Sequence, residues 1–90
     1  MNSPIQQNKI DKLLYKVIKK QQYSKHVDFI NDLYKRGLSK NECMIVELLL
    51  LHKPYDRIKK VLLFTDNVFN EHINNINTTL KNWNDFKEFF

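Results

Sequence analysis

Apolar residues recur along this chain at the spacing of helices, not of strands. Ile10, Leu13, Leu14, Val17 and Ile18 stand at i, i+3, i+4, i+7 and i+8, which gathers them on one helical stripe. Lys9, Lys12, Lys16, Lys19 and Lys20 fall mostly outside it. Ser3-Pro4 supplies a capping hydroxyl and then a proline suited to the first helical position, so the pattern predicts a helix over about 4–22. Ser24 reads as the cap of a second helix with Val27, Ile30, Leu33 and Tyr34 on one face. Lys35-Arg36 place cations in its last turn, and Gly37, the only glycine, supplies the left-handed residue that ends it.

Ser39-Lys40-Asn41-Glu42 has the form of a capping box, in which the serine caps and the glutamate three residues on reaches back. The third helix then runs to about Leu51, where Lys53-Pro54 breaks it. Its wide apolar surface, Ile45, Val46, Leu48, Leu49, Leu50 and Leu51, predicts the most buried helix. A short helix follows from Asp56 to Leu63 with Ile58, Val61 and Leu62 inward. Thr65-Asp66 starts a fifth, whose core side is Val68, Phe69, His72, Ile73, Ile76 and Leu80. Trp83, Phe86, Phe89 and Phe90 suggest a last short aromatic helix closing the core. No strand alternation of useful length appears. The expected class is all-α, a compact helical domain of about five to six helices.

Composition narrows this further. The 90 residues fit one domain, 1–90, with 42% apolar and 28% charged residues, the proportions of a globular chain and not of a disordered one. One glycine and two prolines favour helices joined by short connections. The strongest apolar stretch, Met44 to Leu51, contains Glu47 and is far shorter than the roughly 20 residues that cross a bilayer. The first residues carry no apolar signal core, and the expectation is a cytoplasmic protein with no membrane partner. The net charge of +5 is unevenly placed: residues 1–37 hold eight Lys/Arg against three Asp, whereas 38–90 hold seven against seven Asp/Glu. A basic N-terminal helical pair therefore precedes a neutral second part, and such a patch suits nucleic acid, acidic protein surfaces or plain solvation.

Nothing in the chain points to catalysis. His26, His52 and His72 lie far apart, and no Cys/His/Asp cluster has metal-ligand spacing. Cys43, the only cysteine, cannot form an intrachain disulfide and reads as a small core filler. There is no glycine-rich phosphate loop and no Ser/His/Asp motif, so no catalytic residue, cofactor or metal is assigned. His72, on the apolar side of its helix, reads as a core histidine bonded to a backbone carbonyl. Tyr15, Tyr23, Tyr34, Tyr55 and Trp83, at helical spacing, read as core or interface residues and not as base-stacking platforms.

From Leu38 to Leu80 the chain resembles, without a gap, the LuxR/GerE helix-turn-helix. Leu38-Ser39-Lys40-Asn41-Glu42 matches that family's Leu-Thr/Ser-x-x-Glu opening, and Val46-Glu47-Leu48-Leu49 matches its apolar helix. Ile58 and Leu62 match its short helix and Thr65 the cap of its recognition helix. Phe69, His72, Ile73, Asn75, Ile76 and Leu80 follow its Val-x-x-His-Ile-x-x-Ile/Ala-x-x-Lys-Leu pattern. The resemblance covers about half the chain and implies a tetrahelical helix-turn-helix over about 38–83. Its short helix would brace a recognition helix, about 66–80, that enters the major groove. The groove-facing side would be Asn67, Val68, Asn70, Glu71, Asn74, Asn75 and Thr78, with Thr65 at its start. Asparagine bonds adenine edges in bidentate fashion and threonine reaches base edges or phosphate, so this face suits A·T-rich double-stranded DNA. Arg57, Lys59 and Lys60, with Lys19 and Lys20 from the first helix, would hold phosphates. In the resembled family the helix after the recognition helix mediates dimerisation, which implies the same role for Trp83, Phe86, Phe89 and Phe90.

Two departures bear on function. The family usually carries Lys or Arg where Asn67 and Asn70 stand, and Glu71 adds a negative charge to the face expected to meet DNA. Phosphate neutralisation supplies much of DNA affinity, so two readings stay open at this point. One is a small dimeric transcriptional regulator that binds DNA directly. The other is an adaptor or antagonist that uses the same fold to bind another regulator.

Overall fold

The computed structural model describes residues 5–88, with side chains as far as Trp83. Five helices follow in order: α1 Gln7–Gln21, α2 His26–Lys35, α3 Lys40–Leu50, α4 Tyr55–Leu62 and α5 Asp66–Glu88. The described residues contain no strand. All five helices contribute to one core, built on Ile10, Leu14, Phe29, Leu33, Ile45, Leu49, Ile58, Phe69, Ile73, Ile76 and Leu80. The radius of gyration is 12.6 Å, against about 12 Å expected of a compact chain this long. No helix among the described residues is long and apolar enough to cross a membrane.

α1 buries Ile10, Leu14 and Val17, the stripe its spacing predicts, with Leu13 and Ile18 packed at its edges. The Ser3-Pro4 start lies outside the described residues. α1 ends where Gln22 turns left-handed at φ 57°, and the Tyr23 N–H closes back on the Ile18 carbonyl at 3.1 Å. Two residues tie its N-terminal end to the start of α4. Gln7 donates to the Lys53 carbonyl at 2.8 Å and accepts from the Tyr55 N–H at 3.0 Å. The Tyr55 hydroxyl donates to the Ile5 carbonyl at 2.7 Å.

α2 corrects two sequence expectations. It starts at His26 with Lys25 as its cap position and no side-chain cap bond, so Ser24 stands too early to serve. Its buried residues are Phe29 and Leu33, with Ile30 partly covered, whereas Val27 is 57% and Tyr34 63% exposed. The helix is rolled toward Phe29 because that ring has aromatic partners waiting: Tyr23 at 5.4 Å and Trp83 at 5.7 Å between centroids. Burying a phenyl ring removes more apolar surface from water than burying a valine, and Tyr34 keeps its hydroxyl wet. Gly37, at φ 107°, ends α2 as expected, with the Leu38 N–H on the Leu33 carbonyl at 3.2 Å.

α3 opens on the predicted capping box. The Ser39 hydroxyl accepts from the Glu42 N–H at 3.1 Å, and the Glu42 carboxylate accepts from the Ser39 N–H at 3.0 Å. Six of its eleven residues are buried, including Cys43, but Leu51 is not part of that surface; it is the C-cap and is 59% exposed. On α4 only Ile58 is fully buried and Leu62 partly, while Val61, expected inward, is 58% exposed because it lies about a quarter-turn off the Ile58–Leu62 line. The aromatic segment from Trp83 is not a separate helix. α5 runs on through it, since Lys81-Asn82 offers no breaker and Phe69, Ile73, Ile76, Leu80 and Trp83 keep one unbroken spacing. Phe86, Phe89 and Phe90 fall outside the described side chains.

Candidate nucleic-acid interface

The expected helix-turn-helix falls on α4, the turn Leu63-Phe64-Thr65 and α5, which at Asp66–Glu88 runs past the end expected near residue 80. Leu63 takes the left-handed conformation at φ 58° and closes α4 through the Phe64 N–H on the Lys59 carbonyl at 3.0 Å. Thr65 caps α5, its hydroxyl accepting from the Val68 N–H at 3.3 Å. Phe69, Ile73, Ile76, Leu80 and Trp83 pin α5 into the core, which fixes what its other sides show to solvent.

Asn67, Glu71, Asn74 and Thr78 stand at i, i+4, i+7 and i+11 and are all exposed, a polar row about 16 Å long. Val68 flanks it at 39% exposure, and Asn70 is half-buried beside it. Asn75 does not belong with them as a free reading group, because its amide donates to the Glu42 carboxylate at 3.0 Å. Lys59 is likewise committed. Its ammonium lies 3.1 Å from Asp66 and 3.4 Å from Asp56, and the hydrogen bond to Asp66 leads the effects that push its pKa up. Arg57 and Lys60 remain exposed on α4, and Lys19 and Lys20 lie on the exposed side of α1 near its C-terminal end.

One group that sequence reasoning placed only as a cap turns out to organise the unit. Glu42 is 5% exposed, and its carboxylate accepts three hydrogen bonds: from the Ser39 N–H, from His72 Nδ1 at 2.8 Å and from Asn75. His72 therefore has a carboxylate for its partner and not the expected backbone carbonyl, and its ring also lies 5.1 Å from Phe64 in the turn. Burial would raise the Glu42 pKa, but the bonds from His72, Ser39 and Asn75 outweigh it and hold the group below its ordinary value. The brace joins the start of α3 to the middle of α5 and so sets the direction of the helix that carries the polar row. Its sequence signal was faint: two polar residues three apart, His72 and Asn75, on the flank of an otherwise apolar face.

Trp83 is 2% exposed, stacked on Phe29, edge-on to Tyr23 at 6.0 Å, with the Arg36 guanidinium 3.9 Å over its ring. It serves the chain's own core. Among the described residues no three His, Cys, Asp or Glu side chains come together to hold a metal ion. No known family model matches the chain, and neither a curated protein nor a solved structure matches it significantly.

Proposed function

We propose that this chain is a small DNA-binding regulator that presents α5 to the major groove, with α4 bracing it. The observation that carries the proposal is the exposed row Asn67–Glu71–Asn74–Thr78 on a helix whose opposite side is locked into the core. A rigid helix with an amide and hydroxyl row has the chemistry to read adenine edges. The LuxR/GerE-like spacing supports the same reading. Any dimer through the C-terminal aromatic segment would draw on Phe86, Phe89 and Phe90, since Trp83 is buried.

The test is binding to A·T-rich and G·C-rich duplexes across a salt series. Direct binding weakens steeply as salt rises. Asn74→Ala should erode the preference between the two duplexes, costing about 1–3 kcal/mol on the better one. The absence of duplex binding at low salt would refute the proposal.

A second reading is favoured by one observation. Leu63 is 90% and Val61 58% exposed beside the start of α5, an apolar surface suited to a protein partner. Glu71→Gln separates the readings. On a DNA-facing row it removes a charge that phosphate repels and tightens duplex binding. On a row that docks against a basic protein it weakens that complex and leaves duplex binding unchanged.

A further inference from the structure

α1 and α5 lie side by side and run in the same direction. Tyr55, bonded to Ile5, packs on Phe69 at 5.0 Å near the start of both helices. Tyr23, just past the end of α1, packs on Trp83 at 6.0 Å. Between them opens a groove of about 600 Å³ into which Lys9, Lys12 and Lys16 of α1 and Lys81 of α5 converge, with Leu13 and Asn77 among the residues between. No acidic residue among the described side chains lines it. Asp11, the acid nearest in sequence, is partly buried with its oxygen out of solvent and interacts electrostatically with His52 and Tyr55, on the α3–α4 side. No ion pair among the described residues neutralises any of the four ammoniums.

We propose that this groove is a phosphate track that holds the backbone of the nucleic-acid strand met by α5. Four like charges brought together repel one another, and a line of phosphates relieves that repulsion while releasing its own counterions. The row Lys9–Lys12–Lys16 extends about 10 Å along α1, comparable with roughly three phosphate steps of one strand. Direction supplies the second argument. Asn70, Asn74, Asn77 and Lys81 stand at i, i+4, i+7 and i+11 on α5, so one continuous side of the helix leads from the amide row into the lysine groove. The feature also answers the weakness of α5 itself, whose N-terminal half carries no Lys or Arg: the cations come from the neighbouring helix. A membrane surface fits less well. Binding in a bilayer interface needs apolar anchors beside the lysines, and among the described residues the most exposed large hydrophobic side chains, Leu63, Tyr34, Leu51, Val61 and Val27, belong to other parts of the fold.

The track rests on the DNA-binding reading, and the experiment keeps the two apart. The full chain and the triple variant Lys12→Gln/Lys16→Gln/Lys81→Gln are compared by fluorescence anisotropy on two duplexes over about 50 to 200 mM salt. These side chains are exposed, so the variant should keep the wild-type melting curve, checked by circular dichroism. The slope of log K against log salt should flatten by up to about three, one per lost phosphate contact, with the preference between duplexes unchanged. The control Lys25→Gln/Lys35→Gln/Lys40→Gln, on and beside α2 and α3, should leave the slope alone. If wild type binds duplex and the groove variant keeps its slope, the track is refuted and the α5 reading stands. If the groove variant loses binding to vesicles of anionic lipid while duplex binding is untouched, the track is refuted in favour of a membrane site. If wild type binds no duplex at low salt, the α5 reading fails. Inorganic tripolyphosphate then decides the groove: shifts of the Asn77 and Lys81 amide resonances keep a phosphate site there, and their absence overturns it.

Discussion

Replacing Glu42 by glutamine tests the brace on which the direction of α5 depends. The side chain keeps its size and loses its charge, so packing is held nearly constant. The carboxylate uses one oxygen for the Ser39 N–H at 3.0 Å and the other for His72 at 2.8 Å and Asn75 at 3.0 Å. An amide has one acceptor oxygen. Turned toward Ser39, it sets an NH2 against the Asn75 amide and forces His72 into the tautomer that accepts at Nδ1; turned toward His72, it gives up the bond from the Ser39 N–H. Each hydrogen bond to a charged group is worth about 1.5–3 kcal/mol, and at least one is lost while the rest lose their charge. Water can reach His72, whose side chain is 20% exposed, and Asn75, which tempers the cost. The expected destabilisation near pH 7 is about 2–3 kcal/mol, a Tm lower by roughly 10–20 °C for a chain this short.

Acidity gives the same substitution a second signature. The folded-state pKa of Glu42 lies below its ordinary value of 4.5. A group shifted that way adds stability that is fully present above the unfolded value and is lost as pH falls through the folded one. The difference between wild type and Glu42→Gln should shrink steadily as pH falls below 4.5, because wild type becomes protonated and the variant does not. Urea denaturation of both proteins from neutral to acidic pH measures it. A gap below about 0.5 kcal/mol at neutral pH, or one that does not narrow in acid, would refute the brace.

Two further substitutions test the corrected helix faces and the turn. Phe29→Ala should cost about 3–5 kcal/mol and Val27→Ala under about 0.5, since one ring is fully buried between Tyr23 and Trp83 and the other side chain faces water; comparable losses by equilibrium denaturation would restore the face that spacing alone suggested. Leu63→Gly removes a left-handed strain of about 1–2 kcal/mol and adds a glycine's unfolded-state entropy of about 0.5–1, so stability should hold or rise slightly. A Tm lowered by more than about 5 °C would mean that Leu63 packs more than its exposure indicates.

The pattern of apolar residues told most where one stripe was the only solution. α1 offers a single stripe, and α3 adds a capping box whose two halves are both local, so each could be read without its neighbours. α2 is ten residues in which Val27, Phe29, Ile30, Leu33 and Tyr34 support two overlapping faces. The choice between them belongs to Tyr23 and Trp83, one just before the helix and one more than forty residues after it, and periodicity within the helix carries no information about either. The end of α5 failed for a related reason. Aromatic clustering suggested a new element, but a helix stops only where the backbone has cause to stop, and nothing between Leu80 and Trp83 supplies one.

The candidate site divides in the same way. The polar row on α5 follows from a period of 3.6 once Phe69, Ile73 and Ile76 are assigned inward, and the structure exposes Asn67, Glu71, Asn74 and Thr78 together. Asn75 and Lys59 look no different in sequence from their exposed neighbours. What commits them is Glu42 for Asn75 and Asp56 with Asp66 for Lys59, and Glu42 had already been assigned the local task of capping. A carboxylate has several lone pairs, and a capping box occupies only some of them; the remainder is free to meet whatever tertiary packing brings close. The lysine groove completes the contrast. Its α1 half is a visible stripe, but a stripe alone is equally a solvated face. Parallel docking on α5 brings Lys81 to the same space, where no described acidic side chain pairs with it, and that juxtaposition is what the proposed phosphate track rests on.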